Sequence, residues 1–205
     1  SQSVGTGKTI NVTGLTLGDG TGAASNYSLS SGTFNVTARP VTLTTSRTFD
    51  NTKDVDAANL TVTFNNLVGS ETLSLSGLGS VPSENVAAGQ QAVTLGTLAL
   101  SDNTGVASNY SLSSATLDIN TKSVSLSGTK VYDALTTAAA GDLTISGTVG
   151  GQDLTLTGNG TLTAGADVGT NKTVNTTGLT LGNGVSGTPG TASNYSLVGG
   201  TYQMT

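Results

Sequence analysis

The chain has 205 residues, of which 9% are charged, against about 25% in an average soluble domain; seven basic and twelve acidic residues leave a net charge of −5. It has no His and no Cys, which rules out the commonest zinc and copper ligands, disulfides and His-based catalytic triads. So few bases also argue against nucleic acid and against anionic lipid, both of which demand a cationic face, and no apolar run nears the roughly 20 residues that span a bilayer.

In chain order, Ser1-Gln2-Ser3-Val4 has neither the charged start nor the apolar stretch of a signal peptide. The chain begins inside a repeat and reads as a piece of something longer. Leu15-Thr-Leu17 is the first alternating run, followed by the hexapeptide Ala-Ser-Asn-Tyr-Ser-Leu at 24–29, with Tyr27 in it. Val41-Thr-Leu43, Leu60-Thr-Val62-Thr-Phe64 and Leu73-Ser-Leu75 keep a period of two, the mark of strands with one buried and one wet face. Between them lie Phe49-Asp50 and an Ala-rich, non-alternating stretch at 53–59 that predicts a single short helix. Val68-Gly-Ser-Glu71 reads as a hairpin turn. The hexapeptide returns at 107–112 with Tyr110, then Leu117-Asp-Ile119. Tyr132-Asp133 and a second Ala-rich stretch to Ala140 follow, with Gly150-Gly-Gln-Asp153 as another hairpin turn and Leu154-Thr-Leu156 as another strand. The hexapeptide closes the chain at 192–197, with Tyr195.

The spacing is a repeat. Tyr27 to Tyr110 is 83 residues and Tyr110 to Tyr195 is 85; Phe49 to Tyr132 is again 83. Residues 1–38 are the last part of one repeat, 39–121 a full repeat and 122–205 another. The predicted class is mainly β: elongated, sandwich-like antiparallel modules of about 83 residues set end to end, with one short helix in each. No Gly, Pro or polar spacer separates Leu117-Asp-Ile119 from Val124-Ser-Leu126, so the junctions predict a stiff string rather than a flexible tether.

The candidate residues are a structural signature: Tyr27, Tyr110, Tyr195, Phe49, Asp50, Tyr132 and Asp133. An aromatic that recurs once per module beside an apolar residue closes a core, and an Asp after it bonds a turn. The sharper alternative makes the three hexapeptide tyrosines stacking platforms for sugar. Asp54-Val-Asp56 suggests calcium, but the pair is not repeated and no Asp-x-Asp-x-Asp-Gly loop accompanies it. Lys8 matches Lys172 but meets Gln91 in the middle copy, which argues against a Lys–Asn crosslink in every module. Thr-x-Thr pairs lack the coil-on-coil ladder of an ice-binding face. No residue is assigned a catalytic, metal or cofactor role, and an enzyme is not expected.

The stretch Ile119-Asn-Thr-Lys-Ser-Val-Ser-Leu-Ser-Gly-Thr-Lys-Val-Tyr132-Asp133 resembles the opening of the YDG repeat, with Ala134 where the signature has Gly, and Phe49-Asp50-Asn51 in the earlier copy. Gly169-Thr-Asn-Lys-Thr-Val174, Gly178-Leu-Thr-Leu181 and Asn194-Tyr-Ser-Leu197 match its close. Such repeats, and the related MBG repeats, run in tandem through large bacterial surface proteins, many of them filamentous-haemagglutinin-like adhesins exported by two-partner secretion. The resemblance implies a secreted, cell-surface stalk that projects a distal binding region, with neighbouring repeats as its partners. Binding of polysaccharide or host surface molecules, or self-association in cell aggregation, are the alternatives it leaves open.

Overall fold

The computed structural model describes residues 3–205, a mainly β chain of short strands joined by turns and single-turn 3-10 helices. Among the described residues no helix is long and apolar enough to cross a membrane. Each complete repeat is organised around its first and last strands. In the first, the opening strand Arg39–Thr48 lies beside the closing strand Tyr110–Asn120, in register from Arg39–Tyr110 to Thr48–Asn120 with one irregularity between Leu112 and Ser114. Thr61–Asn65 pairs antiparallel with the outer edge of the opening strand, and Gln91–Ala92 with that of the closing strand. The second repeat repeats the plan. Lys122–Lys130 lies beside Tyr195–Met204, flanked by Leu143–Ser146 and Gly169–Asn175.

Two expectations need correcting. The central pairing of each repeat is parallel, where antiparallel sheets were predicted, although the strands that flank it do pair antiparallel. This matters for the path of the chain. Antiparallel first and last strands would return it to where it started, whereas parallel ones carry it from one end of the module to the other. A ten-residue opening strand advances the chain about 33 Å, and only Thr121 separates Asn120 from the next opening strand at Lys122. The turns at 68–71 and 150–153 are not hairpins either. Thr61–Asn65 pairs with the opening strand while Ser74–Ser76 pairs with Ala99–Ser101, and Leu143–Ser146 and Leu154–Leu162 likewise take different partners. Alternation and a Gly-rich turn fix a strand's faces and its end, but not which strand it meets. The Ala-rich stretches do hold single-turn 3-10 helices, Ala57–Asn59 and Ala140–Asp142.

Period two becomes the core directly. Val41 and Leu43 on the opening strand, and Ala115, Leu117 and Ile119 on the closing strand, point to one side and are buried. Complete burial of a Leu such as Leu117 is worth about 1.5–3 kcal/mol. The two repeats fill the same space differently. Thr45 faces Leu117 across the parallel pair, and Gly128 faces Tyr202 at the matching position. A Cβ on Gly128 would lie 2.2 Å from the Asp142 carbonyl oxygen and 2.7 Å from the Tyr202 ring, so that carbonyl and the larger ring both require the glycine.

Candidate functional site

The hexapeptide forms the same local structure three times. Ala24–Asn26, Ala107–Asn109 and Ala192–Asn194 are 3-10 helices, and each is followed by a tyrosine in extended backbone near φ −128° and ψ 150°. What surrounds the tyrosine differs. Tyr110 and Tyr195 are 7% and 5% exposed, whereas Tyr27 is 70% exposed. Tyr27 is therefore not a core residue here, contrary to its predicted role. Residues 5–36 form one strand pair, Gly5–Thr9 with Thr33–Val36, and no strand among the described residues lies beside Tyr27 as Arg39–Thr48 lies beside Tyr110.

Turns hold the two buried rings by their hydroxyls. The Val68 N–H donates to the Tyr110 hydroxyl at 3.2 Å, and that hydroxyl donates to the Glu71 carboxylate. In the second repeat the Val149 N–H donates to the Tyr195 hydroxyl at 3.1 Å, which donates to Gln152 Oε1 at 2.5 Å. The bond to Glu71, together with burial, raises Tyr110 above the ordinary tyrosine pKa.

The asparagine before each buried tyrosine faces the other way, toward the preceding unit. The Val4 N–H donates to Asn109 Oδ1 at 3.0 Å, and the Val86 N–H to Asn194 Oδ1 at 2.9 Å. Asn194, 1% exposed, also donates through Nδ2 to Asn85 Oδ1 at 2.7 Å. Beside it the Tyr195 ring meets Phe49 of the preceding repeat edge-on, with centroids 5.4 Å apart and planes at 78°. Gln152 completes the contact, since its Nε2 donates to Asn51 Oδ1 at 3.0 Å. One apolar cluster crosses this junction. Phe49, Val55, Val81 and Ile119 of the first repeat pack with Val124, Leu154 and Tyr195 of the second.

The aromatic–Asp pair forms a tight turn in both repeats. Asp50 Oδ1 accepts from the Thr52 N–H at 3.2 Å, and Asp133 Oδ1 from the Leu135 N–H at 3.0 Å. Asn51 and Ala134 follow in the left-handed region, at φ 62° and 59°, so the turn survives without a glycine. A base from the opening strand staples it. Arg47 pairs with Asp50 and donates to the Thr52 and Asp54 carbonyls, while Lys130 reaches Asp133, Leu135 O and Thr137 O. The hydrogen bond and charge of Lys130 hold Asp133 below the usual carboxylate range. Phe49 is 2% exposed because the next repeat covers it; Tyr132, its counterpart, is 51% exposed and does not close a core, contrary to its predicted role. Asp56 accepts from the Ala58 N–H at 3.0 Å, capping a 3-10 helix, and among the described residues no three acidic groups gather as a metal site would require.

The asparagines, Val86, Asn85, Gln152 and the Arg47/Lys130 staple were missed as functional residues in the sequence. A signal was present: Val4, Val86 and Val168 recur at a step of 82, and Asn never varies in the hexapeptide, although a turn alone tolerates Asp, Ser or Gly.

Geometry of this kind defines a tandem β-repeat protein in which residues that recur from repeat to repeat bind its own modules together. The YDG domain family matches residues 35–117 and 118–204, and the chain belongs to that family. No curated protein matches the chain, and no solved structure does.

Proposed function

We propose that this chain is a structural stalk segment of a secreted bacterial cell-surface adhesin, whose repeats hold a distal binding region away from the cell. The observation that carries the reading is the apolar cluster running unbroken from Phe49 and Ile119 into Val124 and Tyr195. A module end buried in its neighbour's core cannot swivel without exposing that core. The parallel opening and closing strands add reach, because each repeat hands the chain on at its far end. The low charge density keeps repulsion between modules small and leaves the rod insensitive to salt. No catalytic or cofactor role is assigned to any residue in this reading. Sugar stacking on the hexapeptide tyrosines is disfavoured, because two of the three rings are inside the fold.

Small-angle scattering of the chain in solution tests the proposal. The expected envelope is elongated, with the two complete repeats each adding about 33 Å or more along one axis. A compact envelope, or one that needs a freely jointed ensemble, overturns it.

A further inference from the structure

The far end of the second repeat carries the same parts as the far end of the first, but none of the described residues covers them. Tyr132 stands where Phe49 stands, and its N–H donates to the Thr205 carbonyl at 2.8 Å, as the Phe49 N–H does to Asn120 at 2.8 Å. Val168 stands where Val86 stands, and Asp167 where Asn85 does. The loop bearing them is held in the same way. Lys172, itself buried, donates to the Ala164 and Gly165 carbonyls at 3.3 and 3.2 Å, where Gln91 bonds Ser83 and Asn85. Yet Phe49 is buried and Val86 half-buried, while Tyr132 and Val168 are exposed, the latter at 64%. Val131 and Leu135 beside them are exposed as well.

We propose that Tyr132, Asp167 and Val168 form a docking face for the leading end of another complete YDG repeat, one that presents an Asn and a Tyr as Asn194 and Tyr195 do. This rests on the end-to-end stacking of the stalk reading. The incoming asparagine takes the Val168 N–H on its Oδ1 and donates its Nδ2 to the Asp167 carboxylate; the incoming tyrosine ring packs edge-on against Tyr132. The third contact of the occupied junction has no counterpart, because Ala134 replaces Asn51.

The test is an extended chain in which a copy of residues 121–205 follows Thr205, compared with the 205-residue chain by amide hydrogen exchange. Protection of the Val168 N–H is expected to rise about 10-fold or more, as for one gained buried hydrogen bond. Replacing the appended copy's equivalent of Asn194 by Ala should remove that gain. A second extension, carrying residues 38–121 instead, should protect Val168 through its copy of Asn109. Val168 exchanging equally fast in extended and parent chains, with the appended core protected, overturns the proposal. So does failure of both extensions to fold, since both sequences fold when docked in the parent. Protection of Val168 in the parent chain that rises with concentration would mean that a second copy fills the face through its exposed Asn26, and would overturn the choice of a complete repeat. Scattering of the parent chain separates the two readings: a taut parent with an unprotected Val168 defeats this one alone.

Discussion

The half repeat and the two complete ones carry one hexapeptide in three settings. In all three it makes the same 3-10 helix and sets the same extended tyrosine backbone. Only in the complete repeats does the ring enter a core. The difference extends beyond the hexapeptide. Phe34 is exposed where Leu117 and Tyr202 are buried, and Ile10 is exposed where Val93 and Val174 are buried. Local conformation is thus written within a few residues, whereas burial depends on an opening strand some 70 residues upstream of the tyrosine. The module is a closure between its two ends.

Replacing the tyrosines one at a time should break this comparison most sharply. Tyr195→Ala removes a ring that bridges two repeats and leaves Gln152 and the Val149 N–H without their partner. Aromatic truncation in a core costs about 3–5 kcal/mol, which urea unfolding would read as a lower midpoint. Tyr27→Ala, at an exposed site, should stay within about 0.5 kcal/mol. Equal losses at the two positions would mean that the half repeat closes its own core.

Much of this architecture was legible in the sequence and some was not, for physical reasons. Strand faces followed from period two because burial on one side of a sheet selects every second residue. The repeat length followed from the aromatic spacing. The parallel pairing did not, because alternation looks the same whichever way the neighbour runs. The tyrosine was read correctly as a core residue where its repeat is whole, but its burial at Tyr27 was assumed from identity of sequence. The asparagine was missed as a functional residue, since its task involves Val86, more than a hundred residues away, and local chemistry carries no trace of so distant a partner.

Asparagine substitutions should sharpen the same contrast at the next size down. Asn194→Ala leaves the part-buried Val86 N–H without its acceptor and Asn85 without its donor; one stranded group costs about 1–3 kcal/mol. Asn26→Ala, exposed in the half repeat, should cost no more than about 0.5 kcal/mol. Scattering on the Asn194 variant should also show a looser junction, an effect that a purely local role would not produce.

Alkaline pH offers a third contrast, because Phe34, in the half repeat, has no hydroxyl where Tyr202 has one. Burial, reinforced by the nearby charge of Asp142, pushes Tyr202 from 10.0 up to about 12. An unfolded tyrosine ionises first, so the stability it contributes is complete below pH 10, declines between pH 10 and about 12, and is gone above. Tyr202→Phe should flatten the fall in stability over that window, measured by urea unfolding at successive pH values. An unchanged slope would place the sensitivity elsewhere.

The smallest effect compares the two tight turns, and its two halves should have opposite signs. Ala134 sits at φ 59°, where an L-residue with a Cβ is strained by about 1–2 kcal/mol and glycine is not. Its side chain makes no contact that the turn requires, since Asp133 and Lys130 do the holding. Ala134→Gly should therefore stabilise the second repeat by about 1 kcal/mol, after the extra freedom glycine gives the unfolded chain is subtracted. Asn51 occupies the same conformation at φ 62°, but asparagine tolerates it, and its Oδ1 accepts from Gln152 of the next repeat. Asn51→Gly gains little strain relief and loses that bond, so it should destabilise slightly, by about 0.5–1 kcal/mol. Two substitutions to the same residue, at the same place in two copies of one module, thus separate what the turn needs from what the junction needs.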